Sequence, residues 1–209
     1  MWKVKSILAH SDLAELPLEA RLDMIASSGK RPRLLLHCCC APCTSYVLEC
    51  LSPFFEITLF FYNPNIDSGE EYDKRANEFK KLPLADGYLD TIGVHVCQYD
   101  PDTFLSMATP MKNEPEGGVR CRFCFEFRLE ATAKFAKKHG FDYFTTTLSV
   151  SPHKNAALLN ELGGKTAGVH AVSYLSADFK KRGGYLRSVE LSRQYGLYRQ
   201  SYCGCKMGK

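Results

Sequence analysis

Ten of the 209 residues are cysteines, and they are gathered rather than spread. Cys38, Cys39, Cys40, Cys43 and Cys50 crowd into one stretch, Cys121 and Cys124 form a C-x-x-C, Cys203-Gly204-Cys205 lies near the end, and Cys97 stands alone. Thiolates are the nucleophiles and metal ligands of cysteine chemistry. Two thiols separated by two residues can chelate one centre, so the first cluster and Cys121/Cys124 together offer a four-thiolate site for zinc or for an iron-sulfur cluster. Thiols beyond a closed zinc knot favour redox chemistry. The glycine between Cys203 and Cys205 lets the backbone bend into a small strained disulfide, the oxidising and labile kind, near enough to the end of the chain to visit a site; two further metal ligands are the alternative. Cys50 in an apolar helix and Cys97 in a strand read as buried small hydrophobes. Three cysteines in a row cannot all face one way, which leaves Cys38 as a bystander.

The elements that must hold these thiols alternate. Arg33-Leu34-Leu35-Leu36-His37 is a short apolar strand running into the cysteine cluster, and residues 44–51 follow at helical spacing. A thiol there meets the partial positive charge of a helix N-terminus, which favours the thiolate. Residues 56–62 form a β-branched and aromatic strand stopping at Asn63-Pro64-Asn65, residues 70–82 a helix, and residues 91–98 a third strand. A helical piece begins at 104–107, Gly117-Gly118 turns into Cys121, and residues 125–138 form a helix before a fourth strand at 143–148. Ser173 to Ser176 and residues 190–198 predict a last strand and helix. This alternation predicts an α/β domain, a Rossmann-like parallel sheet with helices on both faces, spanning 34–209. In such sheets ligands sit outside the carboxyl ends of the strands, where the cluster falls. Residues 1–33, with Leu13, Leu16, Leu18, Leu22 and Ile25 in one or two short helices, form an N-terminal extension.

Composition narrows the setting. At 45% apolar and 12% aromatic the chain has ample core material, which excludes disorder and coiled coil. No signal-like leader and no run of the ~18 apolar residues a membrane span needs are present, so a cytoplasmic location without membrane contact is expected. Thiols there stay reduced, which favours metal or catalytic use over a disulfide scaffold. The net charge of +4 is uneven: residues 165–209 carry nine Lys or Arg against Asp178 and Glu190. Interleaved with Tyr174, Tyr185, Tyr195, Tyr198 and Tyr202, this quarter suits either a solvated face or an RNA-binding one.

Several longer motifs carry a resemblance. His37-x-Cys39-Cys40-Ala41-Pro42-Cys43, Phe61-Tyr62-Asn63-Pro64-Asn65-Ile66, Glu71-Tyr72 with Arg75, and Cys121-Arg122-Phe123-Cys124-Phe125 with Arg128 come first. Thr145 to Leu148, Ser151-Pro152-His153-Lys154, Asp178 to Lys181 and Tyr198 to Cys205 follow in order. The chain thereby resembles the QueH family of epoxyqueuosine reductases. The resemblance implies reductive removal of the epoxide oxygen of epoxyqueuosine at the tRNA wobble position, the last step of queuosine biosynthesis. It implies a [4Fe-4S] cluster on Cys39, Cys40, Cys121 and Cys124, no cobalamin, and a redox-active pair Cys203 and Cys205. It also implies a fold similar to the PP-loop nucleotide-binding proteins, with cysteines replacing the phosphate loop. On that basis Cys43 is expected to face substrate or to help hold a second iron ion, and His37, Glu71, Tyr72 and Lys154 are the candidate proton donors. tRNA and an electron donor of unassigned identity are the expected partners. A thiol-disulfide oxidoreductase built on Cys40-Ala41-Pro42-Cys43 and a zinc-stabilised RNA-binding module are the rival readings.

Overall fold

A computed structural model describes residues 16–82 and 92–208. Among them five parallel strands, β1 (Arg33–His37), β2 (Glu56–Phe61), β3 (Gly93–Val96), β4 (Tyr143–Thr146) and β5 (Ser173–Tyr174), form one sheet in the order β3-β2-β1-β4-β5. The architecture is α/β and Rossmann-like, as the alternation of elements predicts. β1 is central, with Leu36 registered against Leu59 of β2 and Thr145 of β4. Buried on both faces, it needs an unbroken apolar run rather than an alternating one. Leu34 and Leu36 enter the core on one face of the sheet, and Leu35 enters the other.

The first face is covered by α1 (Leu18–Ser27), α2 (Ala41–Leu51) and residues near α3 (Gly69–Asn77), through Leu22, Val47, Leu51 and Tyr72. The other is covered by α5 (Val119–Lys138) and α6 (Ala156–His170). Phe125, Leu129, Ala133 and Ala136 make the buried stripe of α5, each three or four residues apart. α4 (Asp102–Ala108) and α7 (Gly184–Gln194) complete the described helices. α1 docks through Leu22, and Arg21 donates to the Ser176 carbonyl. Leu13 of the expected N-terminal helix and the first residue of the expected 91–98 strand lie outside the described residues. None of the described helices is long and apolar enough to cross a membrane.

Several boundaries differ from the expected ones. α2 starts at Ala41 because Pro42 suits the first helical turn, which makes Cys40 the N-cap and puts Cys43 inside the helix. α5 starts at Val119, so Cys121 and Cys124 occupy its first two turns rather than a loop before it. β3 is short and exposed, with Val94 and Val96 44–45% accessible at the sheet edge. The last helix lies at Gly184–Gln194, ahead of the expected 190–198. β1 and β4 are neighbours from which the chain proceeds in opposite directions across the sheet. Their carboxyl ends, His37 and Thr146, therefore border the switch-point crevice.

Candidate thiol and metal centre

The crevice is built from the end of β1 upward. Cys38 turns into the core, its Sγ donating to the Leu36 carbonyl at 3.1 Å, and burial pushes its pKa far up. Cys39 points the other way. Thr147 Oγ1, just past β4, accepts from the Cys39 backbone N–H at 3.1 Å and donates to its Sγ at 3.4 Å. The sulfurs of Cys39, Cys40 and Cys43 lie within 4.8 Å of one another, and Cys39 Sγ is 3.7 Å from Cys40 Sγ. This is one residue from the end of a strand, the N-cap of a helix and a position in its first turn, converging on one point. Hydrogen bonds from Cys40 and Cys43 hold the Cys39 thiol well below its usual pKa, while the Cys40 thiol is pushed up to about 11 and the Cys43 thiol is raised. Four sulfurs around a single ion at ~2.3 Å stand roughly 3.8 Å apart, so the Cys39–Cys40 spacing and the thiol donor set both suit a metal.

Behind the trio lies a polar lock. His37 is fully buried, with Nδ1 2.8 Å from Thr146 Oγ1 and Nε2 3.3 Å from Arg128 Nε. Nε2 also lies 3.2 Å from the Tyr62 carbonyl, so it stands between a guanidinium that only donates and a carbonyl that only accepts. Burial, then the Arg128 charge, lowers the His37 pKa to about 3. Arg128, one turn after Cys124 on α5, also donates to Cys124 Sγ at 4.0 Å and to Asn63 Oδ1. Asn63 in turn donates to the Cys38 carbonyl at 2.9 Å. Burial pushes the Cys124 thiol up to about 11, against the pull of Arg128.

Cys121, Cys124, Cys203 and Cys205 line one cavity together with Arg128 and Lys154. Lys154 is half-buried and its charge also reaches Cys39, so the trio and the cavity are neighbours. Phe104 and Phe125 make the cavity wall apolar. Arg120, itself buried, donates to the carbonyls of Met111, Lys112 and Glu114 and so ties down the loop that enters α5.

The C-terminal pair is fixed in place, contrary to the mobility its position in the chain predicts. The Cys203 carbonyl accepts from Arg75 Nη1 at 3.2 Å and from Asn65 Nδ2 at 3.4 Å. Arg75 is 2% exposed, pairs with Glu71 Oε1 at 2.7 Å, and sits over the Tyr202 ring. Tyr198 OH donates to Glu71, and Tyr202 OH donates to Asp67 at 2.9 Å. Gly204 has φ +107, and a Cβ there would meet Ile66 and Arg75. Glycine is thus required for the bend and for the close approach. Glu71 reaches Arg75 rather than the cavity, and Tyr72 donates from within the core to the Cys97 carbonyl at 2.7 Å. Among the described residues all ten cysteines are free thiols.

The structure brings Cys39, Cys40 and Cys43 together at one point, and Cys121, Cys124, Cys203 and Cys205 around one cavity. Cys50 and Cys97 are half-buried, both with pKa raised by burial. Asn63, Asn65, Thr146, Thr147 and Arg128 fall within the sequence motifs, but their roles are not readable there, because the partners that define those roles are 25 to 138 residues away. Most of the tyrosines expected to stack on bases are otherwise engaged: Tyr174 packs on Phe144, and Tyr198 and Tyr202 hold the C-terminal clamp.

A Rossmann-like sheet whose switch-point crevice carries thiols defines a thiol-centred α/β protein. The family model described as "Epoxyqueuosine reductase QueH" matches residues 34–209, and the chain belongs to that family. It is 45% identical over 183 residues to the epoxyqueuosine reductase QueH of Staphylococcus epidermidis, covering 85% of this chain and 76% of that one. The protein of the same name from Streptococcus pyogenes is 44% identical over 179 residues, covering 84% and 69%. That of Thermotoga maritima is 35% identical over 178 residues, covering 82% and 88%.

Proposed function

We propose that this protein is an epoxyqueuosine reductase, acting on tRNA in the cytoplasm and removing the epoxide oxygen to give queuosine. Family membership over residues 34–209 carries this reading, and the meeting of four thiols in one cavity beside a three-thiol cluster supports it. The reaction needs two electrons and two protons: the epoxide becomes an alkene and its oxygen leaves as water. Oxidation of Cys203 and Cys205 to a disulfide releases two electrons and two protons, so the dithiol balances the reaction and an external donor restores it. The clamp of Arg75, Asn65 and Glu71 presents this pair to the cavity. Lys154 lines the cavity and, in this reading, stabilises a developing alkoxide and donates a proton. His37 and Glu71 act by positioning, the first through Arg128 and the second through Arg75.

The residues that would hold a [4Fe-4S] cluster are Cys39, Cys40, Cys121 and Cys124, with Cys43 left facing a second iron ion or the substrate. When bound, such iron supplies single-electron transfer and Lewis acidity toward an oxygen. The 3.7 Å separation of Cys39 and Cys40 Sγ also matches two thiolates on one ion, which stand roughly 3.8 Å apart. Anaerobic purification with iron and sulfide analysis separates these occupants. The function is tested by incubating epoxyqueuosine-bearing tRNA with anaerobic protein and a reductant, followed by nucleoside mass analysis. Loss of one oxygen from the modified nucleoside is expected; an unchanged epoxide with iron-loaded protein would contradict the reading. Reduction of dithiol substrates by metal-free protein would instead support a thiol-disulfide oxidoreductase.

A further inference from the structure

Three buried arginines cross the site region, and two have ordinary compensation. Arg75 has the Glu71 carboxylate, and Arg120 has three backbone carbonyls. Arg128 differs. It is 3% exposed, and among the described residues no carboxylate pairs with it. Its donors go to a neutral imidazole, a neutral amide and the Cys124 sulfur. A buried cation with only neutral partners is costly and is kept where a negative charge compensates it. The negative charge that this chain can place there is thiolate: Cys124 at 4.0 Å, and beyond His37 the Cys39 trio.

We propose that Arg128 is the built-in counter-charge of the thiolate-bound metal centre, a positioning residue that raises the reduction potential of that centre and strengthens metal retention at Cys124. The proposal rests on the cluster reading given above. A fixed cation in a dry site lowers the energy of the more negative, reduced state more than that of the oxidised one. The hydrogen bond to the sulfur withdraws charge in the same direction, as hydrogen bonds to ligand sulfurs do in iron-sulfur proteins. His37 and Asn63 hold the guanidinium in plane, and neither carries charge to cancel it.

The test uses the anaerobically reconstituted protein and two variants, Arg128→Gln and Arg128→Lys, with iron and sulfide content and the midpoint potential followed spectroscopically. Arg128→Gln is expected to lower the equilibrium constant for reduction by about tenfold or more, ~59 mV for one electron. Arg128→Lys keeps the charge and is expected to restore most of that shift although its bonds to His37 and Asn63 are lost. A potential unchanged in Arg128→Gln overturns the proposal and leaves Arg128 a packing residue. If Arg128→Gln fails to fold, Arg128→Lys decides: a potential near wild type supports the charge role, and a fall of tenfold or more in the reduction equilibrium overturns it. Wild-type protein lacking iron and sulfide removes the cluster reading itself. In that event zinc affinity, measured by chelator competition, replaces the potential, with a tenfold loss in Arg128→Gln expected and unchanged affinity overturning the proposal.

Discussion

Gly204 shows how much a single residue carries in this site. Its φ of +107 and the approach of Ile66 and Arg75 to its missing Cβ leave no room for a side chain. Gly204→Ala is expected to cost about 1–3 kcal/mol, seen as a lower denaturation midpoint, and to reduce turnover because Cys203 and Cys205 shift together. Glu71 carries a second test. Glu71→Gln removes the charge opposite Arg75, which is 2% exposed; breaking a buried pair from one side costs about 3–5 kcal/mol. Since Glu71 remains 13% exposed, a loss toward the lower end is expected in chemical denaturation. Tyr198→Phe, which only removes one hydrogen bond to the same carboxylate, should cost about 1 kcal/mol. Equal losses for the two would contradict the clamp. At this scale the sequence is informative about thiols and mute about their supports. Spacing picks out the first cysteine cluster and Cys121/Cys124 as parts of one site, and the family resemblance implies Cys39, Cys40, Cys121 and Cys124 within it. It says nothing of Arg128 meeting Asn63 across 65 residues, nor of Thr147 meeting Cys39 across 108.

The elements were legible where burial is simple. β1 is central and buried on both faces, so its leucines run unbroken, and α5 displays its stripe plainly. α6 is hidden in the sequence because Gly163, Gly164 and Gly168 dilute its helical signal. Gly163 is nonetheless needed there, since a Cβ would enter the Tyr174 ring of β5. α7 begins at Gly184, ahead of the expected 190–198, although two adjacent glycines are poor helix formers. The start of α6 is instead set by Asn155, whose side chain accepts from the Leu158 N–H at 3.1 Å. Asn155→Ala is expected to lower stability by about 1 kcal/mol, and Asn155→Asp to restore it, both measured by denaturant unfolding. On α5, Leu129→Ala empties a fully buried position between the sheet and the site. A cost of about 2–5 kcal/mol is expected, with lower metal content, because Cys121, Cys124 and Arg128 ride on the same helix.

For the whole molecule, the fold explains why distant cysteines can share a site: β1 and β4 end and α5 begins at one crevice, and the tail is tied down there by Arg75. The charge pattern is less decisive than its sequence suggests. Lys180 pairs with Asp178, Arg182 with Glu19, and Arg187 with Glu49 and Glu190. Replacing Lys180, Lys181 and Arg182 together is expected to weaken tRNA binding and to flatten its salt dependence; binding that is unchanged across a salt titration would exclude this face. The proposed reaction depends on the thiols delivering electrons to a tRNA-borne epoxide. The most direct measurement is a single turnover of pre-reduced, metal-loaded protein with epoxyqueuosine tRNA and no added reductant, with nucleosides and cysteine peptides weighed from the same sample. One queuosine formed for each Cys203–Cys205 disulfide is the predicted result. An intact epoxide, or queuosine formed while both thiols stay reduced, would contradict it.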